Sequence, residues 1–123
     1  MLIKISEATN KQLDYLVAQC EGILDHLYLD KHNDLMYRDL GQFQYDEGMY
    51  HPTTNWGQGG SIILNMGRLD LIQYKHKGYS DCDLFSDDKR LIHMRGETIL
   101  IAAMRCYVAS KLGKEVDIPE DLK

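Results

Sequence analysis

The stretch that most constrains this chain lies near its end, Thr98-Ile99-Leu100-Ile101-Ala102-Ala103-Met104-Arg105-Cys106-Tyr107-Val108-Ala109-Ser110-Lys111-Leu112-Gly113. Thr98 is an N-cap residue whose hydroxyl can accept from a first-turn N–H. Gly113 is a stop that takes the left-handed conformation without a Cβ clash. At about 100° per residue, Leu100, Ile101, Met104, Tyr107, Val108 and Leu112 share one broad face. Ala102, Ala103, Cys106, Ala109 and Ser110 line the other. A helix with bulky groups on one side and small ones opposite is covered on both, so residues 98–112 are expected to form the centre of the core.

A second helix is expected over residues 9–21. Thr9 and Gln12 have capping-box spacing, Leu13, Leu16, Val17 and Cys20 follow at i, i+3, i+4 and i+7, and Gly22 ends the pattern. Its single apolar face places it on the surface of the fold. Residues 1–5, 26–30, 35–38, 68–75 and 91–94 read as short strands, and residues 115–119 alternate briefly. Residues 41–54 show no period and residues 78–88 read as polar and turn-rich. The expected fold is α+β: a small, mostly antiparallel sheet packed with two helices, one domain over residues 1–123.

Composition excludes several classes. Nineteen acidic residues against 14 basic give a net charge of −5, which opposes the phosphate neutralisation that DNA or RNA binding depends on. Nucleic acid is therefore not expected as the main partner. No apolar run reaches the roughly 18 residues of a membrane span, and residues 1–6 turn polar too soon for a signal peptide. Three widely spaced cysteines, Cys20, Cys82 and Cys106, form no Cys-x-x-Cys pair. A reduced, cytoplasmic protein is the expectation.

The most distinctive stretch after the last helix is Asn55-Trp56-Gly57-Gln58-Gly59-Gly60-Ser61, which reads as a glycine loop, with Ser61 capping a single turn through Asn65. Glycines let backbone N–H groups face an anion and an indole offers a stacking surface, but no Gly-Lys-Ser/Thr follows as in a P-loop. Against that binding reading stands a plain one, a tight turn pinned to the core by Trp56. Arg105 is the one charge inside the last helix. Its planar fork suits a phosphate or carboxylate, or an internal partner such as Asp14 or Glu21. The histidines lack metal spacing, and Asp81-x-Asp83 with Asp87-Asp88 lacks the glycine and glutamate of a calcium loop. No metal, no cofactor and no catalytic residue is assigned. Ser and Cys have no elbow motif or partner base.

The last helix resembles the closing segment of the NinX-like proteins, a family of small phage and prophage proteins of lambdoid type grouped as a domain of unknown function. Lys4-Ile5-Ser6-Glu7, Leu13-Asp14-Tyr15-Leu16-Val17-Ala18, Cys20-Glu21-Gly22 and Asn55-Trp56-Gly57-Gln58-Gly59-Gly60 with Ile62-Ile63 are similar in the same order. Ser61 and Ile99 depart from that pattern, where proline is expected. The resemblance implies a phage accessory protein acting in the bacterial cytoplasm, and it brings no catalytic residues.

Three functions follow as expectations. The first is non-catalytic binding of a small anionic, nucleotide-type molecule, sequestering a host antiviral signal, with Asn55, Trp56, Gln58, Gly59, Gly60 and Arg105 as the site. The second is a protein-interaction module that modulates a host factor. The third is a nuclease or phosphodiesterase. The excess apolar surface of the last helix further suggests a homo-oligomer, a dimer or a higher even number, with the site beside the interface.

Overall fold

The computed structural model describes residues 1–122. Three helices, α1 (Asn10–Glu21), α2 (Trp56–Leu64) and α3 (Ile99–Leu112), are joined to eight strands. The strands form three separate antiparallel sheets, not one. β1 (Leu2–Lys4) pairs with β8 (Glu115–Asp117), tying the two ends of the chain together. β2 (Leu27–Leu29), β3 (Leu35–Arg38) and β4 (Glu47–Met49) form the second sheet. β5 (Leu69–Tyr74), β6 (Tyr79–Ser86) and β7 (Lys89–Gly96) form the third, the largest. The fold is α+β, with three sheets in place of the single one expected.

α3 is the centre of the core, as its two-sided pattern requires. Leu100 through Met104 and Cys106 through Ala109 are all buried. Its small face lies on the third sheet, where the Cys106 thiol donates to Cys82 O at 3.1 Å. α1 packs beside α3, burying Leu13, Leu16 and Val17. The α1 cap forms as its spacing dictates: Gln12 N donates to Thr9 Oγ1 and Thr9 N to Gln12 Oε1. Gly22 closes the helix at φ 73°, the left-handed conformation.

Three segments differ from their sequence reading, the first being residues 47–49, which form strand β4 against β3 inside a stretch that shows no period. Residues 79–86 form the central strand of the third sheet rather than turns. Ser80, Cys82 and Leu84 face α3 and are buried, while Asp81 and Asp83 alternate onto the opposite face, so the aspartates that look turn-like are the outward half of a strand. Residues 56–64 form a helix rather than a glycine loop, and Ser61 lies inside it instead of capping it. The cap is Asn55, whose Oδ1 accepts from Gln58 N at 3.0 Å. The helix tolerates its glycines because one of them is needed. A Cβ on Gly59 would stand 2.3 Å from Pro52 O and 2.8 Å from Leu100 Cδ2.

One buried charge ties α1 to the turn that precedes α2. Asp14 is 4% exposed, and its carboxylate accepts from Thr53 N at 3.0 Å. Burial pushes this carboxyl from 3.8 up to about 7, although the Thr53 N–H pulls it down and the nearby Thr53 hydroxyl favours the ionised form without closing a hydrogen bond of proper geometry. Because the folded state holds the proton more tightly than the unfolded chain does, this group disfavours the fold as pH rises from about 4 through 7. Asp14→Asn keeps an oxygen for Thr53 N and removes the titration. The variant is expected to be more stable than the parent above pH 7, by on the order of a few kcal/mol, and to match it near pH 4. Urea unfolding at both pH values checks this.

Candidate functional site

The first turn of α2 stands at the edge of the fold, and the sequence motif that builds it also exposes its aromatic. Asn55 fixes the helix start and Gly59 presses against Pro52 and Leu100. Trp56, one turn before Gly60, is left 58% exposed. It is therefore not a core anchor. A cleft of about 420 Å³ opens beside it. Thr53, Thr54 and Trp56 form one wall, Gln73 of β5 another, and residues 97–100 at the start of α3 the third. Two helix N-termini thus border one cleft. The Thr98 hydroxyl accepts from Ile101 N, whereas Ile99 and Leu100 occupy the first two helical positions, whose N–H groups have no partner within the helix. Such a terminus carries partial positive charge and favours an anion.

The cleft also contains a carboxylate, Glu97, and no Lys or Arg lines it. Arg105 bears on it indirectly. Its Nη1 donates to Arg95 O at 2.6 Å and its Nη2 to Ala8 O at 3.1 Å, with Nε buried and unpartnered. Burial lowers the pKa of this guanidinium, while the charge of Glu97 raises it. Arg105 thus partly offsets Glu97 while its fork is spent on two backbone carbonyls. Neither expected carboxylate partners it: Asp14 holds Thr53 N, and Glu21 accepts from Tyr107 OH at 2.6 Å.

The other expected site residues separate around α2. Asn55, Gly57 and Gln58 line a second cleft of about 340 Å³ on the far side of the helix start, with Phe43 and Tyr45 opposite. Gln58 is committed to structure there, since its Oε1 accepts from His51 N at 2.7 Å and its Nε2 donates to Met49 O at 2.9 Å. Gly59 is buried against Pro52, and Gly60 lies behind the Trp56 ring. The structure therefore gathers Asn55, Trp56, Gln58, Gly59 and Gly60 within the first part of α2. It leaves Arg105 outside both clefts.

Sequence reasoning missed a polar cluster on the outer face of the third sheet. His93 Nδ1 and Asp83 Oδ1 are 2.7 Å apart, and His93 Nε2 lies 3.9 Å from Asp81. Arg95 donates to both oxygens of Asp81, at 2.8 and 3.3 Å, and its guanidinium carbon stands 3.8 Å from the Tyr79 ring centre. Arg90 reaches Asp83 at 3.6 Å. Arg95 holds the Asp81 carboxyl below the usual carboxylate range. The signal was available: Asp81 and Asp83 at i, i+2 face His93 and Arg95 at i, i+2 once the strands pair. Each carboxylate there already has a cationic neighbour, which makes the cluster a cross-strand ladder. Among the described residues, no group of His, Cys, Asp and Glu is arranged to hold a metal ion, and no helix is long and apolar enough to cross a membrane.

A family model described as Bacteriophage P22, NinX matches residues 4–111. A comparison with curated proteins found no match.

Proposed function

The chain belongs to the NinX family of bacteriophage P22, and from that premise we propose that it binds, without turning over, a small nucleotide-type anion in the Trp56 cleft. The observation that carries this reading is the exposed Trp56 ring forming one wall of a cleft whose other wall is the first turn of α3. An indole stacks on a nucleobase with little regard to which base it is. The Ile99 and Leu100 N–H groups and the Thr98 hydroxyl supply donors for a phosphate. No nucleophile and no base is needed for such a role, and sequestration of a host signal in the bacterial cytoplasm is the action it serves. Native mass spectrometry of protein purified from infected cells tests it. Retained mass matching a nucleotide-type molecule is the expected result, and protein that carries none under conditions where added nucleotides also fail to bind would refute it.

We further propose that two copies meet through the outer face of α2. Trp56, Gly60 and Leu64 recur at i, i+4 and i+8, and Leu64 is 85% exposed. Gly60 between the two large side chains gives the face a hollow as well as projections, which a twofold axis can match to itself. This keeps the cleft beside the interface. Leu64→Asp is expected to convert a dimer to monomer in sedimentation equilibrium and to leave a folded protein whose melting temperature no longer rises with protein concentration. A parent protein that is already monomeric at micromolar concentration would instead favour the second reading, in which the same exposed face docks a host protein.

A further inference from the structure

A cleft of about 300 Å³ opens between α1, strand β2 and the closing turn Glu120–Leu122. Its walls are apolar and within reach of solvent: Tyr15, Leu24, Leu27 and Leu29 are each partly buried. Leu27, Tyr28 and Leu29 all border it. Side chains of a strand alternate between its faces, so three consecutive residues share a cleft only where that cleft runs along the strand's edge. β2 is an edge strand, paired to β3 on one side only.

The backbone along that edge is left open. Asp30 N donates to Asp34 O across the hairpin at 3.0 Å, and Tyr50 N donates to Leu35 O at 2.9 Å on the far side of β3. Leu35 thus turns its backbone toward β4, and its partner Leu29 sits in a non-hydrogen-bonded pair. By the same alternation, Leu27 and Leu29 direct their N–H and C=O groups away from β3. Leu27 N reaches Leu24 O. The Leu27 carbonyl and both backbone groups of Leu29 have no partner among the described residues.

Edge strands ordinarily carry a charge, a proline or a bulge that discourages pairing with another chain. β2 is Leu-Tyr-Leu, and its register against β3 is unbroken. Every other strand among the described residues includes at least one Lys, Arg, Asp or Glu.

We propose that this cleft takes an extended peptide of another protein, which adds to β2 as a further strand of its sheet. The peptide's main chain pairs with Leu27 and Leu29, and its alternate apolar side chains fall among Tyr15, Leu24 and Leu122. Asp121 stands exposed on the rim and the chain carries a net charge of −5, so basic residues flanking the apolar ones match it. A second copy is a poor occupant. It brings its own α1 and closing turn alongside its β2, and these stand in the way of two β2 edges meeting at ~4.8 Å. The proposal is independent of the nucleotide reading, since this cleft and the Trp56 cleft share no residue.

Titration of the isotope-labelled protein with acetyl-Lys-Thr-Leu-Thr-Leu-Thr-Lys-amide, followed by amide NMR, tests this. Saturable shifts at Tyr15, Leu27, Leu29 and Leu122 are expected. Two analogues, N-methylated at the leucines or at the threonines, keep every side chain and remove alternate N–H groups. Because only one set of N–H groups faces β2 in a given register, their affinities are expected to differ about tenfold. Leu29→Pro removes an outward N–H, a change that edge strands accept, and is expected to weaken the parent peptide by a similar factor. The analogues are compared on the unmodified protein, so a variant that fails to fold leaves the test intact. No saturable shift at millimolar peptide, no difference between the analogues, or equal binding by N-acetyl-leucine amide would overturn the proposal. Shifts of the same signals on concentrating the protein alone would also overturn it, with a second copy as the occupant.

Discussion

Gly59→Ala is expected to cost about 3 kcal/mol, while Gly60→Ala, the next position of the same helix, is expected to stabilise the protein by up to ~1 kcal/mol. The contrast follows from what a Cβ would meet. At Gly59 it falls 2.3 Å from Pro52 O and 2.8 Å from a Leu100 methyl, so α2 must lift from both the preceding turn and α3. Pro52 O is backbone and is fixed by the turn that Asp14 anchors through Thr53 N, so it has little room to yield. At Gly60 the nearest atom is Trp56 Cε3 at 3.8 Å, an ordinary contact, and alanine gains the helix propensity that glycine lacks. Urea unfolding of the two variants decides the matter. Equal effects at both positions would mean that residues 56–64 are not a helix packed against Leu100.

Trp56→Ala is expected to lower affinity for the nucleotide-type ligand about 10- to 100-fold, the worth of one base–aromatic stack. Its melting temperature should stay within a few degrees of the parent. The ring is more than half exposed, so removing it leaves no large cavity. A fully buried tryptophan would behave in the opposite way, losing roughly 3–5 kcal/mol of stability on the same change. Calorimetric titration and a thermal melt on one sample separate the two. Unchanged affinity in a folded variant would remove Trp56 from the site.

How much of this was legible in the sequence depended on whether the signal was local. The caps of α1 and α3 are spelled by Thr9, Gln12 and Thr98, and their structures follow residue for residue. α3 as the covered centre of the core could be read from its two-sided composition alone. α2 could not be read so directly, because Gly57, Gly59 and Gly60 weaken the helix and its stability comes from contact with Leu100 and Pro52. Its cap was nevertheless written in the chain as Asn55-x-x-Gln58, the spacing of Thr9-x-x-Gln12. Strand β6 was obscured by Asp81, Asp83, Asp87 and Asp88, residues typical of turns. Its inward half, Ser80-x-Cys82-x-Leu84, carries the period of two.

The division into three sheets was illegible for a different reason. β1 and β8 pair across almost the whole chain, Leu2 with Asp117 and Lys4 with Glu115, and no local pattern announces such a pairing. The candidate site shows the same split. That residues 55–60 form one structural unit came from the motif. The other walls of the Trp56 cleft, Gln73 from β5 and residues 97–100 before and within α3, are assembled only by tertiary packing. The role of Arg105 was misjudged for a related reason. A guanidinium on a crowded helix was expected to need a carboxylate, yet its Nη1 and Nη2 donate to the carbonyls of Arg95 and Ala8 and its Nε stays unpartnered.

Trp56 is the chain's single tryptophan, so its emission reports on the cleft without interference from a second indole. Titrating the unmodified protein with a panel of mononucleotides and linear and cyclic dinucleotides, while following that emission, tests the central claim most directly. The account predicts saturable quenching by a nucleotide-type molecule. It also predicts that the nucleoside lacking phosphate binds more weakly, since only the phosphate meets the first turn of α3. Emission unaffected by every member of the panel, or quenched equally by the nucleoside and its phosphate, would contradict it.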